Sequence, residues 1–393
     1  MKKSFKKIAP ILSILATGML SLSLLEPIIP LYLVNIGFSS KTTGILISIL
    51  WFGMIIGESS WGWIADKTGI RIPMIWGTLV SGMILYGFLL AKGTYFVFVA
   101  ILCLGLFRSA LFGPIRGYVG KHAPVLKKAA FMGVLVVVGG GSKSLGSLLS
   151  GFIAGNMGYN RVFHIAIGIY ILGGLITIMI LRDAKYNAPK FQSATKISFS
   201  KIWRKYRCIF PLCLITSCAY FGFGIFISFL PLFITQVAGL NVASVGILFT
   251  VKGIIPIILG VPMGMLADRK GKKFFMIVAL VISAVSMIGI SFSNNFLYFL
   301  ISVVLFSIGT VMYSPSASAL LSDSVSSVRQ GSAMGIYGGI CENSGIMAGA
   351  FSGGFVWNIF GPQATFWIGS LVCTIGVIMC LTLNTKKIMQ VNS

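Results

Sequence analysis

Charge is what this chain of 393 residues has least of: 10% of its residues are Asp, Glu, Lys or Arg, where soluble domains carry roughly 25%. Only 7 are acidic. So dilute a charge excludes an ordinary soluble surface. Only two histidines are present, and His122 and His164 stand far apart. No H-E-x-x-H, G-x-S-x-G or comparable acid–base cluster occurs, and no P-loop, so neither an enzyme nor an ATP-driven pump is expected. The seven cysteines form no C-x-x-C and sit in or beside apolar runs, so they read as small packing residues rather than disulfides or metal ligands. No cofactor or metal is expected.

Apolar sequence takes the place of charge. Hydrophobic residues make up 56% and mean hydropathy is +0.96. Runs near 20 residues recur along the chain, the length a helix needs to cross a hydrocarbon core. Spans are expected at roughly 8–34, 42–62, 73–91, 95–118, 129–155, 162–181, 208–235, 242–265, 273–292, 295–319, 331–358 and 363–383. The first begins like a signal peptide but runs on through Pro27 and Pro30 without a small-x-small cleavage site, so an uncleaved span is expected.

The net charge of +24 raises nucleic acid as a partner. Its distribution answers otherwise. Of 31 Lys and Arg, 24 fall on the side that holds the two ends and the longest loop, and three (Lys41, Lys92, Arg161) on the other. This is the positive-inside pattern. It predicts a multi-pass protein of the cytoplasmic (inner) membrane with both termini cytoplasmic, in contact with lipid and not with nucleic acid. A monomer is expected.

The basic stretch Arg182 to Arg207 separates six spans from six. Two bundles, 1–187 and 207–393, are therefore expected around a cytoplasmic linker at 188–206. The halves are related. Gly62, Asp66, Lys67, Gly69 and Arg71 are matched 202 residues later by Gly264, Asp268, Arg269, Gly271 and Lys273. Met132-Gly133 and Met334-Gly335 keep the same offset, as do Ser150-Gly151 and Ser352-Gly353. This is an internal duplication. Within the loop a glycine allows the tight turn, the Asp can accept from free N–H groups at a helix start, and the basic residue can pair with it. Such contacts can latch one state of a two-state protein.

With its second copy, the pattern G-x-x-x-D-[KR]-x-G followed by a basic residue resembles the signature loop of the major facilitator superfamily. The resemblance implies an all-α integral membrane fold of twelve helices in two pseudo-symmetric six-helix bundles, working by alternating access. It implies a cavity lined by spans one, four, seven and ten. It also implies that span five lies beside eight and span two beside eleven.

Seven ionisable residues fall within expected spans: Glu26, Glu58, Arg108, Arg116, Lys143, Lys252 and Glu342. A charge at the bilayer centre costs at least ~2.5–3.5 kcal/mol, so each should face a cavity or a partner. Glu58 and Arg116 lie near span ends and read as structural. Glu26, Arg108, Lys143, Lys252 and Glu342 lie deeper and are the candidates for substrate binding or proton coupling. With the implied packing, Lys143 and Lys252 would be neighbours and Glu342 would lie across the cavity. Glu26–Arg108 and Glu342–lysine pairs are the structural alternative. The deep charges are not duplicated: at the offset of 202, Lys143 faces Gly345 and Glu342 faces Gly140.

Arg108 with Gly113-Pro114 partly resembles the family's fourth-span motif. Gly139 to Gly151 resembles the glycine-rich fifth-span motif of proton-driven drug antiporters, but Gly146-Ser147 replaces Gly-Pro and Lys143 intrudes. The aromatic residues Tyr220, Phe221, Phe223 and Phe226 of span seven, with Tyr313, read as packing. The expected function is proton-coupled movement of a small organic molecule, with export favoured. Uptake of an organic anion or zwitterion is the alternative within transport, and a non-transporting receptor the alternative outside it.

Overall fold

The computed structural model describes residues 2–91, 93–111, 114–115, 128–181, 210–324 and 337–383. The expected linker at 188–206, Arg116, His122 and Met334-Gly335 lie outside the described residues, and so does the side chain of Asp66.

The described residues are helical, with no strand among them. The first span, α1, consists of Lys2–Leu25 and Ile28–Asn35 with a break between. Next come α2 (Ser40–Thr68), α3 (Arg71–Leu90), α4 (Thr94–Leu111), α5 (Lys128–Met157) and α6 (Tyr159–Ile180). The second half holds α7 (Phe210–Val237), α8 (Val242–Lys270), α9 (Lys272–Ser291) and α10 (Phe296–Asp323). A wide turn at Tyr337–Glu342 leads into Asn343–Phe360 to make α11, and α12 is Pro362–Thr382. Ten of these are each long and apolar enough to span a bilayer. The bent α1 is an eleventh, and α11 completes twelve.

The α1 break has a cause in the sequence. Pro27 has no N–H to donate to the preceding turn and its ring crowds that turn. The two parts of α1 meet at 41°. Glu26 sits on the last residue before the proline, where the chain leaves the helix.

The duplication is visible in the backbone. Ser39 and Asn241, 202 apart, both cap a helix start, accepting from the backbone N–H of Thr42 and Ser244. Each satisfies a donor the first turn cannot. Gly37 and Gly239 both have positive φ (99° and 66°), as do Gly69 and Gly271 (87° and 101°). Gly69 and Gly271 end α2 and α8 with N–H groups donating to Ala65 and Ala267. The tight turn is thus made by Gly69 and Gly271. Gly62 and Gly264 lie inside α2 and α8 with open space where a Cβ would stand. Gly69→Ala or Gly271→Ala should therefore lower stability by about 1–3 kcal/mol. Gly62→Ala and Gly264→Ala should raise it by roughly 0.5–1 kcal/mol. Thermal unfolding of the four purified variants checks both signs.

Across the halves, α5 packs along α8 and α2 along α11. Both contacts are closest on the side away from the chain ends, and both use glycine. A Cβ on Gly151 would stand 2.6 Å from the Cα of Gly246, and one on Gly44 2.9 Å from the Cα of Gly354. Small residues let helix backbones approach this closely. Toward the side of the chain ends the α5–α8 contact loosens. Val245, Gly246, Leu248 and Phe249 of α8 are buried, and the next buried residue is Ala267. Large apolar side chains such as Met83, Leu172, Met179 and Leu371 are exposed around the outside, as a lipid-facing surface requires.

Candidate functional site

A cavity of about 510 Å³ lies between the halves, within the usual range for small-molecule sites. Its walls come from α1, α4 and α5 on one side and α7, α8 and α10 on the other. The end nearer the chain termini is apolar, formed by Leu15, Met19, Leu111, Ile115, Leu135 and Val136. Toward the sealed side are Glu26, Lys143, Ser147, Phe249 and Lys252, with Phe223 and Thr310 from α7 and α10.

The central contact joins the two halves. Lys252 Nζ of α8 donates to Glu26 Oε1 of α1 at 2.5 Å, and both side chains are less than one-fifth exposed. The α1 break and the α5–α8 seam bring them together. On the seam, Thr250, two residues before Lys252, donates to the Ser144 carbonyl at 3.2 Å. Three rings surround the ammonium: Phe223 at 4.6 Å, Phe249 at 4.9 Å and Phe226 at 5.6 Å from their centroids. An aromatic face attracts a cation within about 6 Å, so this Lys252 is held by one carboxylate and three rings. Lys143, one residue from Ser144, lines the same cavity and adds positive potential at Glu26.

Of the five deep charges, the structure therefore brings together Glu26, Lys143 and Lys252. Arg108 lies behind the wall, 5% exposed, with Nη2 donating to the sulfur of Met54 at 3.4 Å. Among the described residues its Nε has no hydrogen-bond partner, and neither does the buried hydroxyl of Tyr170. The guanidinium still contributes to the field at Glu26. Glu342 is not among the cavity-lining residues described; it accepts from Tyr220 OH at 2.9 Å. Near it the hydroxyl of Thr216 stands 3.0 Å from Tyr313 OH and 3.2 Å from Tyr337 OH.

Two expectations are corrected. The partner that Glu26 takes is Lys252 rather than Arg108. Glu342 does not stand across the cavity from the lysines; the carboxylate in the described cavity wall is Glu26, paired with Lys252. The aromatic residues Phe223 and Phe226, read as packing from sequence, form part of the lysine's surroundings. Their i, i+3 spacing on one helix face was the available signal.

The paired loops are less alike in their contacts than in sequence. Lys67 lies over the Trp63 ring at 3.7 Å. Asp268 is 4.0 Å from Lys272, which also pairs with Asp323 at 2.5 Å. Lys273, expected to pair with Asp268, instead donates to the carbonyls of Leu381 and Leu383, both at 2.8 Å. There it neutralises the negative end of α12. The partners of Lys272 and Lys273 lie within the second half. Arg71 and Arg269 follow Gly69 and Asp268 at the same two turns.

Comparison with known proteins places this geometry. The family described as Major Facilitator Superfamily matches residues 11–213 and again residues 212–392. The multidrug resistance protein MdtG of Salmonella paratyphi C is 23% identical over 279 residues, 69% of each chain. An MFS-type transporter of Methanocaldococcus jannaschii is 26% identical over 371 residues, 88% of this chain and 89% of the relative. The crystal structure of the nucleoside transporter NupG superposes with a TM-score of 0.79 at 15% identity, over 96% of this chain and 98% of that one. A POT family transporter crystallised with a thioalcohol-conjugated peptide gives 0.80 at 13% identity, over 97% and 96%. Both likenesses are of fold.

Proposed function

The chain belongs to the major facilitator superfamily, and from that premise we propose that it is a proton-coupled secondary transporter of a small organic molecule. Two bundles, 1–187 and 207–393, joined by 188–206, rock about the cavity and expose it to each side in turn. The cavity-centred pair Glu26–Lys252 carries this reading. It ties one bundle to the other, and one member can accept a proton. Protonation of Glu26 removes the charge that holds Lys252 and so loosens the tie, and the ammonium it leaves stays among the rings of Phe223, Phe226 and Phe249.

The seam sealed at Gly151–Gly246 and Gly44–Gly354 lies opposite the chain ends. With the termini cytoplasmic in the inner membrane, as the basic loops indicate, this is the inward-facing state. The chain works as a monomer, and its partners are substrate, protons and lipid. The name of the MdtG relative favours export. A second direction, uptake of an organic anion or zwitterion, draws support from Lys143 and Lys252, two cations among the described lining residues of the cavity. Arg108 supports the field at Glu26. Glu342 with Tyr220 is a second proton-accepting position outside the cavity wall. The loops at Gly62 to Arg71 and Gly264 to Lys273 form the cytoplasmic gate.

A ligand-stability screen of purified protein at mildly acidic and mildly alkaline pH tests the proposal. A transported compound should raise the unfolding temperature with an affinity that changes with pH. Lys143→Ala and Lys252→Ala should abolish the shift for an anion, and Glu26→Gln for an organic cation. Stabilisation independent of pH for every ligand found would contradict proton coupling.

A further inference from the structure

We propose that a groove between α5 and α6, on the side away from the chain ends, binds a phospholipid whose headgroup carries both a phosphate and a primary ammonium. Arg161 takes the phosphate and His164 takes the ammonium. The site lies outside the central cavity and does not depend on Glu26 or Lys252.

The groove has a volume of about 670 Å³, and its described lining is Met157 at the end of α5 with Arg161, His164 and Ile165 near the start of α6. All four residues are exposed. The sequence of α6 says what they are exposed to. Ile165, Gly168, Leu172, Leu175 and Met179 are exposed along the same helix, at the spacing of one helical stripe. Every one of them is apolar, so the stripe faces lipid. Arg161 and His164 continue that stripe to the membrane edge, where headgroups lie.

The counter-charge of Arg161 comes from outside the chain. The helices on this side are joined through residues 36–39, 91–93, 158, 238–241, 292–295 and 361, and none of these is Asp or Glu. Of the seven acidic residues, Glu26 pairs with Lys252, and the other six belong to the end of the molecule that holds the chain termini. A guanidinium at headgroup level meets phosphate there, in paired and charge-assisted hydrogen bonds.

His164 supplies the second half of the recognition. Its Nδ1 lies 2.7 Å from the carbonyl oxygen of Asn160. A carbonyl only accepts, so Nδ1 carries the proton and Nε2 of the neutral ring is an acceptor. A phosphate oxygen has nothing to donate to it, whereas an ammonium does. Residues three apart on a helix are neighbours, so Arg161 and His164 offer a donor and an acceptor side by side. A phosphate and an ammonium joined by two carbons match that order. A choline headgroup has no N–H, and a glycerol headgroup has only a neutral hydroxyl to donate. Gly168 lies one turn beyond His164, with open space where a Cβ would stand. That space leaves a channel for an acyl chain running toward Leu172.

The test is native mass spectrometry of the full-length protein, delipidated in detergent and titrated with dioleoyl phosphatidylethanolamine, phosphatidylcholine and phosphatidylglycerol. The ethanolamine lipid should bind roughly tenfold more tightly than the other two. Arg161→Gln should weaken the ethanolamine and choline lipids alike, by roughly tenfold or more. His164→Phe should bring the ethanolamine lipid down to the level of the choline lipid and leave the latter unchanged. Gly168→Leu should weaken both. The ratio of two lipids on one sample does not depend on how much of it is folded, so an unstable variant cannot imitate the His164 result. Equal binding of ethanolamine and choline lipids by the unaltered protein, tighter binding of the glycerol lipid, or a ratio unmoved by His164→Phe would each overturn the proposal. Phosphoethanolamine without acyl chains, competing at the same concentration as the lipid, would overturn a lipid as the occupant.

Discussion

Proteoliposomes bearing Glu26→Gln will lose transport driven by a pH gradient by roughly a hundredfold or more, while exchange of unlabelled for labelled substrate continues. The size follows from the contact removed. Breaking a buried ion pair from one side costs about 3–5 kcal/mol, and each 1.4 kcal/mol is tenfold in population. Glutamine keeps the shape of Glu26 and can still accept from Lys252, so the bundle should fold. It has no carboxylate to protonate, so binding no longer depends on the proton. Loss of exchange together with gradient-driven flux would mean that Glu26 is structural. Unchanged flux in both assays would remove it from the mechanism.

The second large effect lies at the seam. Gly246→Leu should reduce transport roughly ten- to a hundredfold, the consequence of about 1–3 kcal/mol of overpacking in the closed state. Its Cβ would meet the Cα of Gly151 at 2.7 Å and the carbonyl of Ser147 at the same distance. Both are backbone atoms, so no side chain can turn aside to make room. The variant should therefore favour the state in which this side is open. A cysteine placed at Phe38 or Leu240, in the turns on that side, should react faster with an impermeant thiol reagent. Gly260→Leu, on the same helix with open space around its Cα, should transport normally. Equal transport by the two variants would contradict a moving seam.

Much of this fold was legible in the sequence because its signals are one-dimensional. Span length follows from bilayer thickness, and the offset of 202 relates Asp66 to Asp268 without any knowledge of packing. The same offset also governs features that sequence inspection passed over, such as the caps at Ser39 and Asn241. The break in α1 falls at Pro27, a residue plain in the sequence. What could not be read was rotation about the helix axis. In spans apolar on every side, hydropathy does not say which face of α8 turns toward α1, and so the meeting of Lys252 with Glu26 was not foreseen. For the same reason Glu342 was expected across the cavity, yet it turns to Tyr220. Lys273 illustrates a second limit. Its position matches Arg71, but its partners are carbonyls at the end of α12, supplied by a helix more than a hundred residues away.

The central claim is that protonation of Glu26 releases the tie between the bundles and lets the sealed side open. Pulsed electron paramagnetic resonance between spin labels at Phe38 and Leu240 in lipid measures this directly. At alkaline pH the account predicts one short distance, and at acidic pH a second, longer population in exchange with it. Glu26→Gln should show the longer population at both pH values. A single distance, unmoved by pH and by Glu26→Gln, would contradict the claim.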